Sequence, residues 1–205
     1  MRMNEIIIDG ITKSFGGRMV LDHIRAELPA GILCLSGKSG CGKTTLARII
    51  AGLDKPDSGT VSGMTGYVTY MFQEPRLFPA FSALENVACV SRQKEAERRA
   101  KELLFLLSLN SEDMMKKPRE LSGGMSQRVS LARAVLYAVS CGGNTVILDE
   151  PFKGLDPTAK EKAAVLVTGE LSGKNILVIT HDSSDAELLG GSSVSFEEPC
   201  GGCLW

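Results

Sequence analysis

A chain of 205 residues has room for one ordinary domain with an inserted subdomain and a substantial core, not for two independent domains. Its 23 Lys plus Arg stand against 24 Asp plus Glu, a formal net charge of −1, so there is no whole-molecule positive field to hold nucleic acid and no nucleic-acid partner is expected. The opening MRMNEIIIDG reaches a carboxylate at Asp9 without a long apolar core, and LLFLLSL at 103–109 is too short to cross a bilayer; the expectation is a soluble, cytoplasmic chain.

Residues 4–15 (NEIIIDGITKSF) and 19–28 (MVLDHIRAEL), divided by Gly-Gly-Arg, alternate apolar and polar and predict an antiparallel pair of strands. ILCLS (32–36) is a short apolar strand. A glycine-rich loop follows it, then KTTLARIIAGL (43–53), where Leu46, Ile49, Ile50 and Leu53 repeat at helical spacing. Apolar strands recur at YVTYMF (67–72), TVILDE (145–150) and NILVIT (175–180), separated by helical stretches, the pattern of a parallel sheet covered on both faces. Residues 82–118 carry no strand signal. Within them RQKEAERRAKELLFLLSL (92–109) sets Ala96, Ala100, Leu103, Leu104 and Leu107 as one apolar stripe against a solvated charged face. Together with the helix at 123–140, residues of about 82–140 read as a helical subdomain inserted into an α/β core.

Cys34, Cys41, Cys89 and Cys141 lie in apolar or glycine-rich segments and are expected to be reduced thiols. Cys200 and Cys203 have metal-ligand spacing, but a zinc site needs about two more ligands and the chain's histidines are His23 and His181; an exposed tail is expected there.

GKSGCGKTT, residues 37–45, fits the phosphate-loop pattern in its required place between strand and helix. Gly37, Lys38, Ser39, Gly40, Cys41 and Gly42 turn backbone N–H groups and a helix N-terminus toward phosphate oxygens. Lys43 can reach the β and γ phosphates, while the hydroxyl of Thr44, followed by Thr45, can ligand Mg²⁺. The strand at 145–150 ends in two carboxylates. Side chains alternate along a strand, so Asp149 suits a Mg²⁺ shell and Glu150 can polarise a water for attack on the γ phosphate. Gln73 and His181 follow two other strands, and ligands of parallel sheets sit beyond the carboxyl ends of strands.

In their order and spacing these residues resemble the ATP-binding subunit of an ABC transporter, over nearly the whole chain. The resemblance implies a P-loop NTPase core with an N-terminal antiparallel β subdomain and an inserted helical subdomain. It makes GKSGCGKTT the Walker A loop, Gln73 the Q-loop glutamine and a Mg²⁺ ligand, and Phe15 the residue stacked on adenine. LSGGM (121–125) becomes the signature, VILDE the Walker B strand, Asp156 the D-loop aspartate and His181 the switch histidine. It further implies that Ser122, Gly123 and Gly124 contact the nucleotide of a second copy or homologous subunit in a head-to-tail dimer, and that ATP and Mg²⁺ are bound. Met125 stands where the family usually has glutamine. QEPRLFPAFSALENV (73–87) particularly resembles the nitrate, sulfonate and taurine importer type, although Ala80 replaces a common tryptophan. This implies an ATPase powering a separate membrane permease, with a solute-binding protein as an indirect partner and the chain peripheral on the inner face of the membrane. Exporter-type function, or a nucleotide-gated clamp outside transport, is the alternative. RLFPAFSALENV is expected to expose Leu77, Phe78 and Phe81 around Pro79 as the permease contact.

Overall fold

A computed structural model describes residues 5–64 and 66–196, and the backbone of 201–203. Strands β1 (Ile6–Phe15) and β2 (Arg18–Leu28) form the expected antiparallel pair. They are followed by β3 (Ile32–Ser36), helix α1 (Lys43–Ile50), β4 (Ser58–Ser62) and β5 (Val68–Met71). Residues 72–144 then hold helices alone: α2 (Ala83–Ala88), α3 (Ala96–Leu106), α4 (Ser111–Met115), a 3-10 turn at Pro118–Glu120 and α5 (Gly123–Ser140). The chain continues through β6 (Thr145–Asp149), α6 (Pro157–Glu170), β7 (Asn175–Ile179), α7 (Ser184–Leu189), β8 (Ser192–Ser195) and β9 (Gly201–Cys203).

Two sheets result. One has the order β4-β1-β2-β9; the other is the wholly parallel β5-β6-β7-β3-β8. The period of two along the central strands divides the interior. Val146, Leu148, Ile176, Val178 and Cys34 face a core shared with α2, α3, α5 and α6, while Ile147, Leu177, Ile179, Leu33 and Leu35 face α1 and the β1–β2 pair. Continuous apolar strands are therefore required, because both faces are covered. The same parity sends Asp149, two residues beyond Ile147, toward α1.

Helix ends are set locally. Ser82 and Glu85 close a capping box on α2, and Asp156 caps α6 by accepting from the Ala159 N–H at 3.0 Å, with Pro157 in the first turn. On α3, Ala100, Leu103 and Leu104 are buried, and Leu107 just beyond is too, while Arg98–Glu102 and Lys101–Glu97 pair on the outer face. Leu53 departs from its expected stripe: α1 ends at Ile50, and Leu53 lies in the following turn, 47% exposed.

No disulfide joins Cys34, Cys41, Cys89 or Cys141, and burial pushes the Cys34 thiol up to about 12. Cys200 and the side chain of Cys203 lie outside the described residues. Among the described residues no helix is long and apolar enough to cross a membrane.

Candidate functional site

The loop between β3 and α1 is shaped by close approaches that exclude side chains. At Gly37 (φ 149°) a Cβ would overlap the Phe196 carbonyl, and at Gly42 (φ 105°) it would come within 2.9 Å of Leu21 Cδ2. The loop then wraps Lys43, a residue 6% exposed, whose ammonium donates to the carbonyls of Gly37 at 2.7 Å and Lys38 at 2.8 Å, with Cys41 Sγ at 3.6 Å. This places a cation within hydrogen-bond reach of the loop's inner surface, beside the start of α1, which has no side-chain cap.

The loop forms one wall of an open cleft of about 430 Å³. Ser39, Gly40, Gly42, Lys43, Thr44, Thr45, Gln73, Asp149, Glu150 and His181 line it, and so do Val20, Lys153 and Ile179, which the motifs did not single out. Gly37, Lys38 and Cys41 shape the loop without lining the cleft. Register explains the convergence: Asp149 pairs with Ile179 in the parallel β6–β7 ladder and Met71 with Leu148 in β5–β6, so the residues beyond all three strand ends open on the same space.

Asp149 is 2% exposed. The Tyr70 hydroxyl donates to its Oδ2 at 3.1 Å, whereas Thr44 Oγ1 stands 3.4 Å from Oδ1, at the outer limit of a hydrogen bond. Burial pushes the Asp149 carboxyl above its ordinary value, and the Tyr70 and Thr44 hydroxyls and the Lys43 charge oppose that shift. Two oxygens facing each other across a loose gap, in a cleft that Gln73 also lines, make an oxygen donor set suited to a hard divalent cation.

Glu150 has φ 52°, unusual for a residue with a side chain, so its conformation must be held from outside. Its N–H donates to the Ile179 carbonyl at 2.9 Å, and its own carbonyl accepts from the buried Gln127 amide at 2.8 Å. Its carboxylate is mostly buried, and Oε2 lies 2.8 Å from Nδ1 of the exposed His181 ring. A carboxylate accepts, so Nδ1 carries the proton and Nε2 is left to face other partners.

The remaining sequence-predicted residues stand elsewhere. Phe15 closes β1, half-exposed beneath the Lys13 ammonium at 5.3 Å, and does not line the cleft. Ser122 caps α5 by accepting from the Met125 N–H at 3.2 Å, Gly123 is open, and a Cβ on Gly124 would meet the Gly154 carbonyl at 3.1 Å. None of these three lines the cleft, and Asp156 is engaged as the cap of α6.

In the loop after Gln73 one expectation needs correction. Phe78 and Phe81 are exposed, at 51% and 39%, with ring centroids 5.6 Å apart, but Leu77 is half-buried against the helical core. Arg76, at φ 44°, turns the chain so that Leu77 points inward. The Arg133 guanidinium ties this loop to α5, donating to the carbonyls of Pro75 at 2.7 Å and Arg76 at 3.0 Å.

Sequence reasoning missed Tyr70 and Gln127, which hold Asp149 and Glu150 from behind. Gln127 left a faint signal: a polar residue on the face of α5 that also buries Leu131 and Ala134.

The description "ABC transporter" attaches to the family model that matches residues 21–153. The aliphatic sulfonates import ATP-binding protein SsuB 1 of Streptomyces avermitilis is 40% identical over 89% of this chain and 69% of its own length. The lipoprotein-releasing system ATP-binding protein LolD of Bacteroides thetaiotaomicron is 38% identical over 89% of this chain and 93% of its own. Some other import relatives are longer, and the chain spans 57% of an Fe(3+) ions import ATP-binding protein from Rhodococcus jostii. Among solved structures, a dimeric bacterial ABC transporter cassette superposes with a TM-score of 0.81 at 29% identity, covering 93% of this chain and 94% of that one. A second dimeric structure of that cassette, described as a post-hydrolysis state bound to ADP and Pi, gives 0.78 at 28%, covering 94% of each chain. With this match and this phosphate-loop cleft, the chain belongs to the ABC transporter family as an ATP-binding, ATP-hydrolysing cassette.

Proposed function

We propose that the cleft performs hydrolysis with Glu150 as the base and that the energy drives a solute importer whose permease is a separate chain. The observation that carries the chemistry is the Glu150–His181 contact of 2.8 Å, set beside the phosphate loop in one cleft. Lys43 and the loop N–H groups hold the phosphates. Glu150 accepts a proton from the attacking water, and His181, oriented by that carboxylate through Nδ1, presents Nε2 toward the terminal phosphate. A Mg²⁺ ion held by Thr44, Asp149 and Gln73 would supply charge neutralisation at the β and γ oxygens. Phe15 is read as the adenine-stacking residue.

That Ser122, Gly123 and Gly124 do not line the chain's own cleft supports a head-to-tail dimer in which they serve the partner's nucleotide and Asp156 lies near the join. Residues of about 82–140 are read as the helical subdomain that carries this signature, and the exposed Phe78 and Phe81 just ahead of it as the permease contact. The chain is then peripheral on the inner face of the membrane, with a solute-binding protein as an indirect partner. The sulfonate-import relative supports an importer. The near full-length likeness to a lipoprotein-releasing system ATP-binding protein favours exporter-type function as the second reading, and co-purification of the membrane partner followed by direction-resolved transport separates the two.

Glu150→Gln keeps the shape of the side chain but cannot take a proton. It is expected to retain ATP binding, trap a dimer with ATP and lose hydrolysis by about two orders of magnitude or more. Near-normal turnover in the purified variant removes Glu150 from the role of base.

A further inference from the structure

Lys153 has no part in the roles given so far, yet it lines the cleft together with Glu150, His181 and the phosphate loop. Its placement follows from its neighbours. Pro151 and Phe152 are buried, and the Lys153 N–H donates back to the Glu150 carbonyl at 3.2 Å, closing a turn that sends the exposed Lys153 to the cleft wall. Among the described residues no carboxylate pairs with it, in contrast to Lys160 on the next helix, whose ammonium meets Asp182 at 2.6 Å and Asp185 at 2.5 Å.

We propose that Lys153 is a second phosphate-binding cation of this cleft, directed at the terminal phosphate that distinguishes ATP from ADP. The inference rests on the nucleotide reading of the cleft and deepens it. Two arguments carry it. The first is position: Lys153 shares a turn with Glu150, whose work is at the terminal phosphate, and so stands at the hydrolytic end of the cleft. The second is charge. The ionisable residues of the lining, His181 apart, are the carboxylates of Asp149 and Glu150 and the ammonium groups of Lys43 and Lys153. Without Lys153 the carboxylates would outnumber the ammonium groups around the place where a multiply charged anion must settle. The Lys43 ammonium already donates to two carbonyls of its own loop, whereas the Lys153 ammonium has no described acceptor and a flexible stem with which to follow the phosphate.

The test is calorimetric titration of the full chain with Mg²⁺-ADP and with the Mg²⁺ complex of a β,γ-imido ATP analogue, for wild type, Lys153→Met and Lys153→Arg. One charge-assisted contact predicts that Lys153→Met weakens the ATP analogue about tenfold, leaves ADP within about twofold, and is largely rescued by Lys153→Arg. Unchanged melting temperature is expected, since the side chain is exposed. An unaltered ratio of the two affinities, or an equal loss for both nucleotides, overturns the proposal. A wild-type chain that binds neither nucleotide overturns the nucleotide reading itself, and Lys153 with it.

Discussion

Asn86 offers a measurement of how firmly the loop beyond Gln73 is built. It is fully buried in α2 and is bonded to four backbone groups: Oδ1 accepts from the Phe78 N–H at 2.7 Å, and Nδ2 donates to the carbonyls of Ser82 at 2.9 Å and of Phe78 and Phe81 at 3.2 Å. Asn86→Asp keeps the shape and the acceptor but removes every donor and sets an oxygen against three carbonyl oxygens. Loss of the donors leaves buried acceptors at a cost of about 1–3 kcal/mol, and an ionised carboxylate among them adds to it, so about 3–4 kcal/mol is expected at neutral pH. At about 2–4 °C per kcal/mol for a chain of this size, the melting temperature falls by roughly 6–16 °C. The pH dependence gives a sharper check. Burial among carbonyls raises the folded-state pKa of the new carboxyl above its unfolded value, so the charge penalty is absent below the unfolded pKa near about 4 and grows as pH rises through the folded one. Calorimetric melting of both proteins from about pH 3 to 8 should therefore show curves that diverge toward neutral pH. Equal melting temperatures at neutral pH, or a deficit that does not change with pH, refute the reasoning.

Lys160→Met leaves the buried Asp185 and the adjacent Asp182 without their shared cation, and a loss of about 2 kcal/mol, discounted because Asp182 is partly exposed, should appear in denaturant melts at neutral pH. The ammonium and Ser184 hold the Asp182 carboxyl well below the usual range, so this wild-type advantage is present above the unfolded carboxylate pKa and disappears only as pH falls through the lower folded value; a deficit unaltered in strong acid contradicts the assignment. Mixing Lys43→Ala with Ser122→Arg protomers should restore about a quarter of wild-type ATPase if protomers exchange freely and one intact composite site works alone, where each parent is inactive; no recovery despite demonstrated mixed dimers excludes independent sites. Replacing Phe78 and Phe81 by serine should abolish assembly with the permease while basal ATPase and melting temperature persist, and unchanged assembly and transport dismisses that surface.

The chain of strand, glycine loop and helix was legible because each piece obeys a local rule, as were the acidic pair and histidine at strand ends, where parallel register brings them together. Even the two-sided burial of β6 and β7 could be read from their unbroken apolar runs. Strands β4 and β8 could not, since SGTVS and SSVS present almost nothing apolar and exist only because β1 and β3 supply a ladder to join. Leu77 was misread because a short loop has no periodicity, and the Arg76 backbone decides which way it points. Tyr70 and Gln127 were hidden for a different reason: their partners are far away in sequence, and only the packed fold shows that a tyrosine in a strand and a glutamine in a helix end on Asp149 and Glu150.

The tie made by Arg133 has a mechanical consequence. Its two bonds to Pro75 and Arg76 join the aromatic loop to α5 at a point about 16 Å along the axis from Ser122, taking 1.5 Å per residue. The two bonds join the loop and the helix as one stiff arm, with Phe78 near one end of the tied span and Gly123 and Gly124 at the other. A tilt of about 5° imposed at the loop sweeps the helix start through roughly 1.4 Å over that length, half a hydrogen-bond distance. The anion cradle proposed at Ser122, Gly123 and Gly124 would thus be engaged or released by a rotation too small to disturb the packing of the arm itself.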